Sequence, residues 1–172
     1  MVGRETEKEH LKSLLKSKEH EFVAVFGRRR VGKTYLIRES YEYNFVFQHT
    51  GINNNLLKDE SMIRHQLDKF AESLYTYGVK TEQPIKDWDE AFYHLRKVIE
   101  QSKEKKKVIF IDELSWMDTK GSRLLSALES FWNGWVTARK EKDVILIVCT
   151  SATYWMIDKI VNSKGGLHNR LT

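Results

Sequence analysis

A stretch near the start of the chain has the residue types and spacing of a phosphate-binding loop. Residues 27–34 read GRRRVGKT and fit the pattern G-x-x-x-x-G-K-[ST]. In this pattern the glycines let backbone N–H groups turn toward an anion, Lys33 places its ammonium against the outer phosphates, and the Thr34 hydroxyl can ligate Mg²⁺. The predicted nucleotide-binding set is this loop with the residue that follows it: Gly27, Arg28, Arg29, Arg30, Val31, Gly32, Lys33, Thr34 and Tyr35.

A second candidate for phosphate chemistry is the acidic pair inside VIFIDELSW, residues 108–116. Asp112 follows a hydrophobic run, where a carboxylate can hold Mg²⁺ directly or through water. Glu113 can orient and deprotonate a water molecule that attacks a γ-phosphorus. The two motifs together predict Thr34 and Asp112 as metal ligands, and Glu113 and Lys33 as catalytic residues of a hydrolytic site.

Polar residues follow two other hydrophobic runs. VILIVCTSA, residues 144–152, contains Thr150 and Ser151, whose hydroxyls either contact the γ-phosphate and its attacking water or simply satisfy a turn. Of the two, Ser151 is favoured as catalytic and Thr150 is assigned to nucleotide binding. Another run ends in Gln48 and His49; His49 is either a polar partner of Glu113 or an ordinary loop residue, and the second interpretation is favoured.

The elements that must position these residues are four buried strands separated by helices. Apolar runs without alternation are typical of strands covered on both faces, and they occupy residues 22–26, 45–48, 108–111 and 144–149. Strands that alternate with helices predict an α/β fold with three layers, in which a parallel sheet carries helices on both faces. Ligands bind such sheets at the carboxyl ends of the strands, where the polar residues lie.

Apolar residues at helical spacing predict the helices. A leading helix contains Leu11, Leu14 and Leu15, and others cover residues 56–77, 88–99, 124–135 and 155–161. Asp87 is a plausible N-cap for the third, and Asp118 or Thr119 for the fourth. The chain of 172 residues has one proline, no repeat and no linker-like stretch, which predicts a single domain over residues 1–172.

Composition narrows the class of protein. A hydrophobic content of 41% with five tryptophans predicts a packed core rather than disorder, and a formal charge of +5 is too small an excess to indicate a polyanion partner by itself. The lone Cys149 lies in an apolar run, which is typical of a reducing cytoplasm. No apolar run approaches the roughly 20 residues of a membrane span, so a cytoplasmic location without membrane contact is predicted.

With these motifs in this order, the chain resembles the AAA+ class of P-loop ATPases, and within it the prokaryotic ATPases related to the origin-recognition and STAND branches. FGRRRVGKTYLIRES and FIDELSWM are similar to the two Walker motifs of that sub-family, and CTSATYWM is similar to its sensor 1 segment. VGRETEKEHLKSLL resembles the opening box of the class, and this resemblance makes Val2, Gly3 and Arg4 adenine-side candidates. GGLHNRLT resembles the segment that carries an arginine finger acting on a neighbouring subunit, and Arg170 is the matching residue.

The chain also departs from that class. Met1 stands where relatives carry an aromatic residue, and beyond the position of Thr172 relatives continue into a helical lid and often a nuclease-like domain. The resemblance therefore implies an ATPase core without the AAA+ lid, as part of a longer chain. It also implies a homo-oligomer with Arg170 acting in trans, DNA contact through the missing C-terminal part, and weak turnover by this chain alone.

Mg²⁺-dependent binding and hydrolysis of ATP, which drives or gates a partner domain, is the function predicted from these residues. A GTPase would need an Asn-Lys-x-Asp-type guanine reader, which is absent from the sequence. Two alternatives stay open: a slow nucleotide-gated switch with little turnover, and a DNA-associated regulatory module. Arg28, Arg29, Arg30 and the lysine-rich run 103–107 could contact DNA, although that run is more simply interpreted as a solvated helix end.

Overall fold

A computed structural model describes residues 4–53 and 59–162, and its centre is a sheet of four parallel strands. The strands are β1 (Glu21–Phe26), β2 (Phe47–Thr50), β3 (Lys107–Asp112) and β4 (Val144–Thr150). Their order across the sheet is β1-β4-β3-β2, so β3 and β4 are central and every residue of these two strands is buried. The predicted parallel sheet is confirmed.

Helices cover both faces of the sheet. The helices are α1 (Glu5–Ser13), α2 (Lys33–Ser40), α3 (Asp59–Thr76), α4 (Trp88–Gln101), α5 (Leu114–Met117), α6 (Leu124–Glu129) and α7 (Thr153–Met156). A 3-10 turn, Leu14–Lys16, extends α1, and π-helical turns, Ser130–Val136 and Ile157–Val161, extend α6 and α7. Among the residues that the structure describes, no helix is long and apolar enough to cross a membrane.

Alternate residues of each central strand pack against different helical layers. In β4, Ile145, Ile147 and Cys149 face the layer formed by α1 and α2, whereas Leu146 and Val148 belong to the larger core beneath α3, α4 and α6. This two-sided packing explains why the strands are hydrophobic throughout rather than alternating. The predicted three-layer arrangement is confirmed, and it places the carboxyl ends of all four strands at one edge of the sheet.

Two predicted boundaries are wrong. The second strand begins at Phe47 rather than at Phe45, because the Phe45 ring packs between Phe110 and Tyr41, with centroid distances of 5.5 and 6.1 Å. Asp118 is not the N-cap of the fourth predicted helix; its carboxylate accepts a hydrogen bond of 2.9 Å from the indole of Trp155.

The cap and the form of the fourth predicted helix also differ from the prediction. Arg123 precedes α6 in a left-handed conformation with φ 57°, and neither Asp118 nor Thr119 provides the cap. The helix that the apolar stripe predicts as continuous becomes π-helical from Ser130. Other predicted features are confirmed. The Asp87 carboxylate caps α4 by accepting a hydrogen bond from the backbone N–H of Glu90 at 2.9 Å. Trp88 and Trp132 lie in the core, with exposed fractions of 1% and 0%.

His49 is a buried histidine on β2. Its Nδ1 lies 2.8 Å from the Ser73 hydroxyl, its ring meets the edge of Phe70, and its Nε2 has no hydrogen-bond partner among the described residues. Burial lowers the pKa of His49 from the ordinary 6.5 to about 4, because the charged imidazolium would lose its hydration. His49 is therefore neutral near pH 7.

This lowered pKa predicts a loss of stability in mild acid. His49 takes up its proton near pH 6.5 in the unfolded chain and only near pH 4 in the folded chain. The contribution of neutral His49 to the free energy of unfolding is therefore complete above pH 6.5 and declines as the pH falls toward 4. Between pH 7 and pH 4.5 we expect the protein to lose about 2.5 kcal/mol more than a His49→Gln variant. Urea denaturation of both proteins at the two pH values measures the difference; parallel losses would contradict the assignment.

Candidate functional site

The loop of residues 27–32 joins the carboxyl end of β1 to the start of α2. Gly27 and Gly32 have φ angles of 150° and 82°, which residues with a Cβ rarely adopt, and this explains the two glycines of the motif. Gly32 occupies the N-cap position of α2, and no side chain caps the helix. The free N–H groups of the first turn and the positive end of the helix dipole are therefore available to an anion.

Lys33 lies at the centre of this loop. Its side chain folds back so that Nζ donates to the carbonyl oxygens of Gly27 and Arg28, both at 2.8 Å, and the residue is only 8% exposed. The ammonium is thus held in place before any phosphate enters. This geometry gives the loop a fixed positive charge on its concave side.

Thr34 and Asp112 meet across the loop. The Thr34 hydroxyl donates to Asp112 Oδ2 at 2.7 Å, which brings together an oxygen from α2 and an oxygen from the end of β3. Within residues 4–53 and 59–162 there is no cluster of three or more histidine, cysteine, aspartate or glutamate side chains that could hold a metal. The two oxygen donors of Thr34 and Asp112 fit Mg²⁺, which typically takes one or two protein oxygens and completes its shell with water and substrate phosphates.

Glu113 follows Asp112 in a strained backbone conformation. Its φ and ψ are 49° and 45°, a left-handed conformation that costs a non-glycine residue roughly 1–2 kcal/mol. The carboxylate Oε2 accepts hydrogen bonds from the backbone N–H of Ser151 at 3.2 Å and from the Ser151 hydroxyl at 3.1 Å. Ser151, directly after β4, therefore orients Glu113. The sequence predicted instead that its hydroxyl contacts the γ-phosphate or the attacking water.

Arg29 connects the loop to this acidic residue. Its Nε donates to the Ser151 hydroxyl at 3.2 Å, and its guanidinium lies 5.5 Å from the centre of the Trp116 ring. All three loop arginines are exposed, and Arg30 adopts a left-handed φ of 63°. Of the three loop arginines, Arg29 is thus the one that the structure joins to Glu113 through Ser151.

Two cavities adjoin the loop and share Lys33. One, of about 540 Å³, opens over the start of α2 and Glu113; its lining residues are Arg29, Arg30, Gly32, Lys33, Thr34, Tyr35, Arg38, Tyr43, Glu113 and Trp116. The other, of about 560 Å³, lies between α1 and β1 and is mainly apolar, with Arg4, Phe26 and Val31 among its lining residues. A larger cavity of about 690 Å³ lies at the amino ends of β2 and β3, far from the loop, so size alone does not locate the site.

The sequence-predicted residues divide into three groups. Glu113 lines the 540 Å³ cavity together with Tyr35 and five loop residues, Arg29, Arg30, Gly32, Lys33 and Thr34, and the neighbouring cavity is lined by Arg4, Gly27, Val31 and Lys33. Arg28 lines neither of these two cavities. Asp112 and Ser151 do not line them either, but Asp112 accepts a hydrogen bond from Thr34 and Ser151 donates one to Glu113. Thr150 is fully buried, and its hydroxyl lies 2.6 Å from that of Ser115. Val2, Gly3 and Arg170 lie outside the described residues.

Other candidate residues have structural partners. His49 contacts Ser73 and not Glu113. In the lysine-rich run, Lys106 Nζ donates to the carbonyl oxygens of Glu19 and Lys142, and Lys107 Nζ contacts the carbonyl of Glu104. Two lysines of the run thus stabilise the backbone around the start of β3. Cys149 is completely buried, and burial raises the pKa of its thiol, so the cysteine is unreactive.

Sequence reasoning missed two residues around the acidic pair. Gly51 and Gln66 contact the turn that carries Glu113. A glycine directly after a strand signals a close backbone approach, which was the available clue for Gly51. Nothing in the pattern around Gln66 distinguishes it from a surface residue of α3.

Comparisons with known proteins identify the family of the chain and a protein of similar fold. A family described as an ATPase domain predominantly from Archaea matches residues 1–172. An uncharacterized protein of Methanocaldococcus jannaschii is 27% identical over 175 residues, which cover 99% of this chain and 34% of the relative. A Walker-type ATPase of Pyrococcus abyssi has a similar fold, with a TM-score of 0.60 at 18% identity, over 99% of this chain and 51% of that one. This chain thus spans about a third and about half of their lengths.

Proposed function

Since this chain belongs to the family of ATPase domains found predominantly in Archaea, we propose that it binds ATP with Mg²⁺ and hydrolyses the γ-phosphate. The observation that carries the proposal is that Lys33, Thr34 and Glu113 line one cavity next to a helix N-terminus without a side-chain cap, and that the Thr34 hydroxyl is bonded to Asp112. The loop and Lys33 would bind the phosphates. Thr34 and Asp112 would hold Mg²⁺, which supplies charge neutralisation on the phosphate oxygens when bound.

Residues at the ends of β3 and β4 would supply the base of the reaction and hold it in place. Glu113 accepts a proton from water while the water oxygen bonds to the γ-phosphorus and the bond from that phosphorus to the β,γ-bridging oxygen breaks, which releases ADP and phosphate. Ser151 orients the carboxylate through its N–H and hydroxyl. The apolar cavity between α1 and β1, which Arg4 lines, would take the adenine. The resemblance assigns Val2 and Gly3 to adenine binding as well.

A cation for the charge that develops on the γ-phosphate has two candidate sources. Arg29 is the source within the chain that the geometry favours, because it reaches from the loop to the Ser151–Glu113 pair. Arg170, acting on a neighbouring subunit in a homo-oligomer, is the source that the resemblance to AAA+ ATPases implies. We assign the role to Arg29, and the Discussion gives the experiment that separates the two.

The finer assignments rest on the resemblance. We propose that the chain is the core domain of an AAA+ type ATPase related to the origin-recognition and STAND branches. On this proposal residues 1–172 are one cytoplasmic core whose nucleotide state gates a partner domain, with DNA reached through other parts of a longer protein. The two hydrogen bonds that engage the Glu113 carboxylate favour slow basal turnover, which is the behaviour of a switch.

Loss of Lys33 tests nucleotide binding directly. We expect Lys33→Ala to weaken the binding of ATP by at least about 1.5 kcal/mol, because a charge-assisted contact to the phosphates is lost. Calorimetric titration with MgATP measures the change. Lys12→Ala, which removes the same charge from α1 far from the loop, is the matched control. Equal affinity in wild type and Lys33→Ala would contradict the proposed binding mode.

A further inference from the structure

The segment that follows β2 presses directly on the turn that carries Glu113. The Gly51 N–H donates to the carbonyl of Asp112 at 2.9 Å, which continues the pairing of β2 with β3 by one residue. A Cβ built on Gly51 would lie 2.5 Å from the carbonyl oxygen of Glu113 and 2.9 Å from Met117 Cγ. Gly51 is therefore required by space, and no larger residue fits unless the Glu113 peptide moves.

The turn itself is held from the other side. Glu113 N–H donates to Asp112 Oδ1 at 2.9 Å, and its carbonyl accepts from the N–H of Trp116 at 2.9 Å. A non-glycine residue stays in a left-handed conformation only where its surroundings impose it. Gly51 packs against the carbonyl oxygen of Glu113 and so closes the remaining side of this peptide.

Gln66 ties the two segments together. This side chain of α3 is 0% exposed, and its Oε1 accepts from the N–H of Ile52 at 3.2 Å. Its Nε2 donates to the carbonyl of Ile52 at 2.6 Å and to the carbonyl of Trp116 at 3.0 Å. One buried amide thus joins the residue after Gly51 to the helix that starts after Glu113, and all its bonds go to backbone atoms.

We propose that Gly51 and Gln66 are positioning residues for Glu113. They hold its peptide in the left-handed conformation from which the carboxylate reaches Ser151 and the cavity over the loop. The assignment of Glu113 as a base rests on the proposed function, whereas the control of its backbone does not. Because neither residue lines that cavity, the inference predicts an effect on turnover without an effect on nucleotide binding.

Gly51→Ala is the first test. We expect kcat to fall about tenfold while the Kd for ATP stays within about twofold of wild type, since only the placement of the base changes. Gly134→Ala is the matched control, because a Cβ at Gly134 meets no atom within 4 Å. A Gly51→Ala enzyme with wild-type kcat would overturn the inference.

A second substitution distinguishes positioning from simple overcrowding. Met117→Ala removes the flexible contact of the new methyl group but leaves the contact with the Glu113 carbonyl. We expect Gly51→Ala/Met117→Ala to keep the low kcat, and recovery of kcat would show that packing against Met117 was the cause. Gln66→Met provides a separate route: it should also lower kcat with Kd preserved, and unchanged kcat would count against the role of Gln66.

A stability cycle without nucleotide separates this inference from the proposed function. In the wild-type background Glu113→Gly should unfold at a higher urea concentration than Glu113→Ala, because glycine is unstrained at positive φ. In the Gly51→Ala background the new methyl group displaces the Glu113 peptide, so the gap between the urea midpoints of Glu113→Gly and Glu113→Ala should be smaller. An unchanged gap would overturn the inference even if ATP is hydrolysed, and a reduced gap would support it even if the chain fails to bind ATP.

Discussion

Glu113→Gln is expected to reduce ATP turnover by roughly 10²–10⁴-fold and to leave ATP affinity almost unchanged. Glutamine keeps the shape of the side chain and can still accept the hydrogen bonds from Ser151 N–H and Oγ, at 3.2 and 3.1 Å in the wild type. It cannot take the proton of the attacking water. The change therefore isolates proton transfer from binding and from the orientation of the side chain.

Single-turnover hydrolysis and calorimetric binding should be measured on the same preparations. Asp112→Asn gives the contrast, since it should raise the Mg²⁺ concentration needed for activity rather than remove the base. A Glu113→Gln protein that hydrolyses ATP at the wild-type rate would show that another group accepts the proton. Wild-type turnover no faster than that of Glu113→Gln, with tight nucleotide binding in both, would instead identify the chain as a slow switch.

Arg29→Ala is expected to slow single-turnover hydrolysis by on the order of 10²-fold, the usual effect of removing one preorganised donor from a developing charge. The physical reason is the position of the guanidinium between the phosphate loop and the Ser151–Glu113 pair, with Nε 3.2 Å from the serine hydroxyl. Arg28→Ala is the matched control. It removes the same charge from the same loop but does not line the cavity that contains Glu113.

The same assay decides whether the cation comes from the same chain. If Arg29 supplies it, the rate per molecule stays constant as the protein is diluted, and Arg170→Ala has little effect. A rate that rises with protein concentration and falls in Arg170→Ala would assign the role to a neighbouring subunit and refute the assignment to Arg29. Arg29→Lys should recover only part of the rate, because an ammonium cannot reproduce the directed donors of a guanidinium.

The fold and the centre of the site follow from short-range patterns in the sequence. Continuous apolar runs predict strands buried on both faces, and the structure places them in a parallel sheet because each is followed by a helix. The loop of residues 27–34 was predictable because each of its residue types has its own local role: a positive φ, a helix start or a charge. These features are determined within a few residues along the chain.

The unpredicted features depend on distant parts of the chain. The bond between Arg29 and Ser151 joins residues 122 positions apart, and the bond from Gln66 to Trp116 joins residues 50 apart. The N-cap of α6 was predicted wrongly because the Asp118 carboxylate bonds to Trp155, a partner 37 residues away, instead of to the next helix. A local sequence pattern does not indicate such long-range contacts. A polar residue that could cap a helix or bind a ligand is therefore assigned to the nearest element along the chain.

The left-handed backbone at Glu113 also bears on how this sequence can change over generations. Glutamate and glycine codons differ by a single transition, so mutation supplies glycine at this position continually. Glycine would relieve the strain at φ 49°, and selection for folding alone would therefore favour it. The glutamate persists against that bias only if its carboxylate contributes to fitness. A lineage that no longer needs hydrolysis should lose the residue quickly and keep its fold, as a nucleotide-binding descendant with glycine or asparagine in its place.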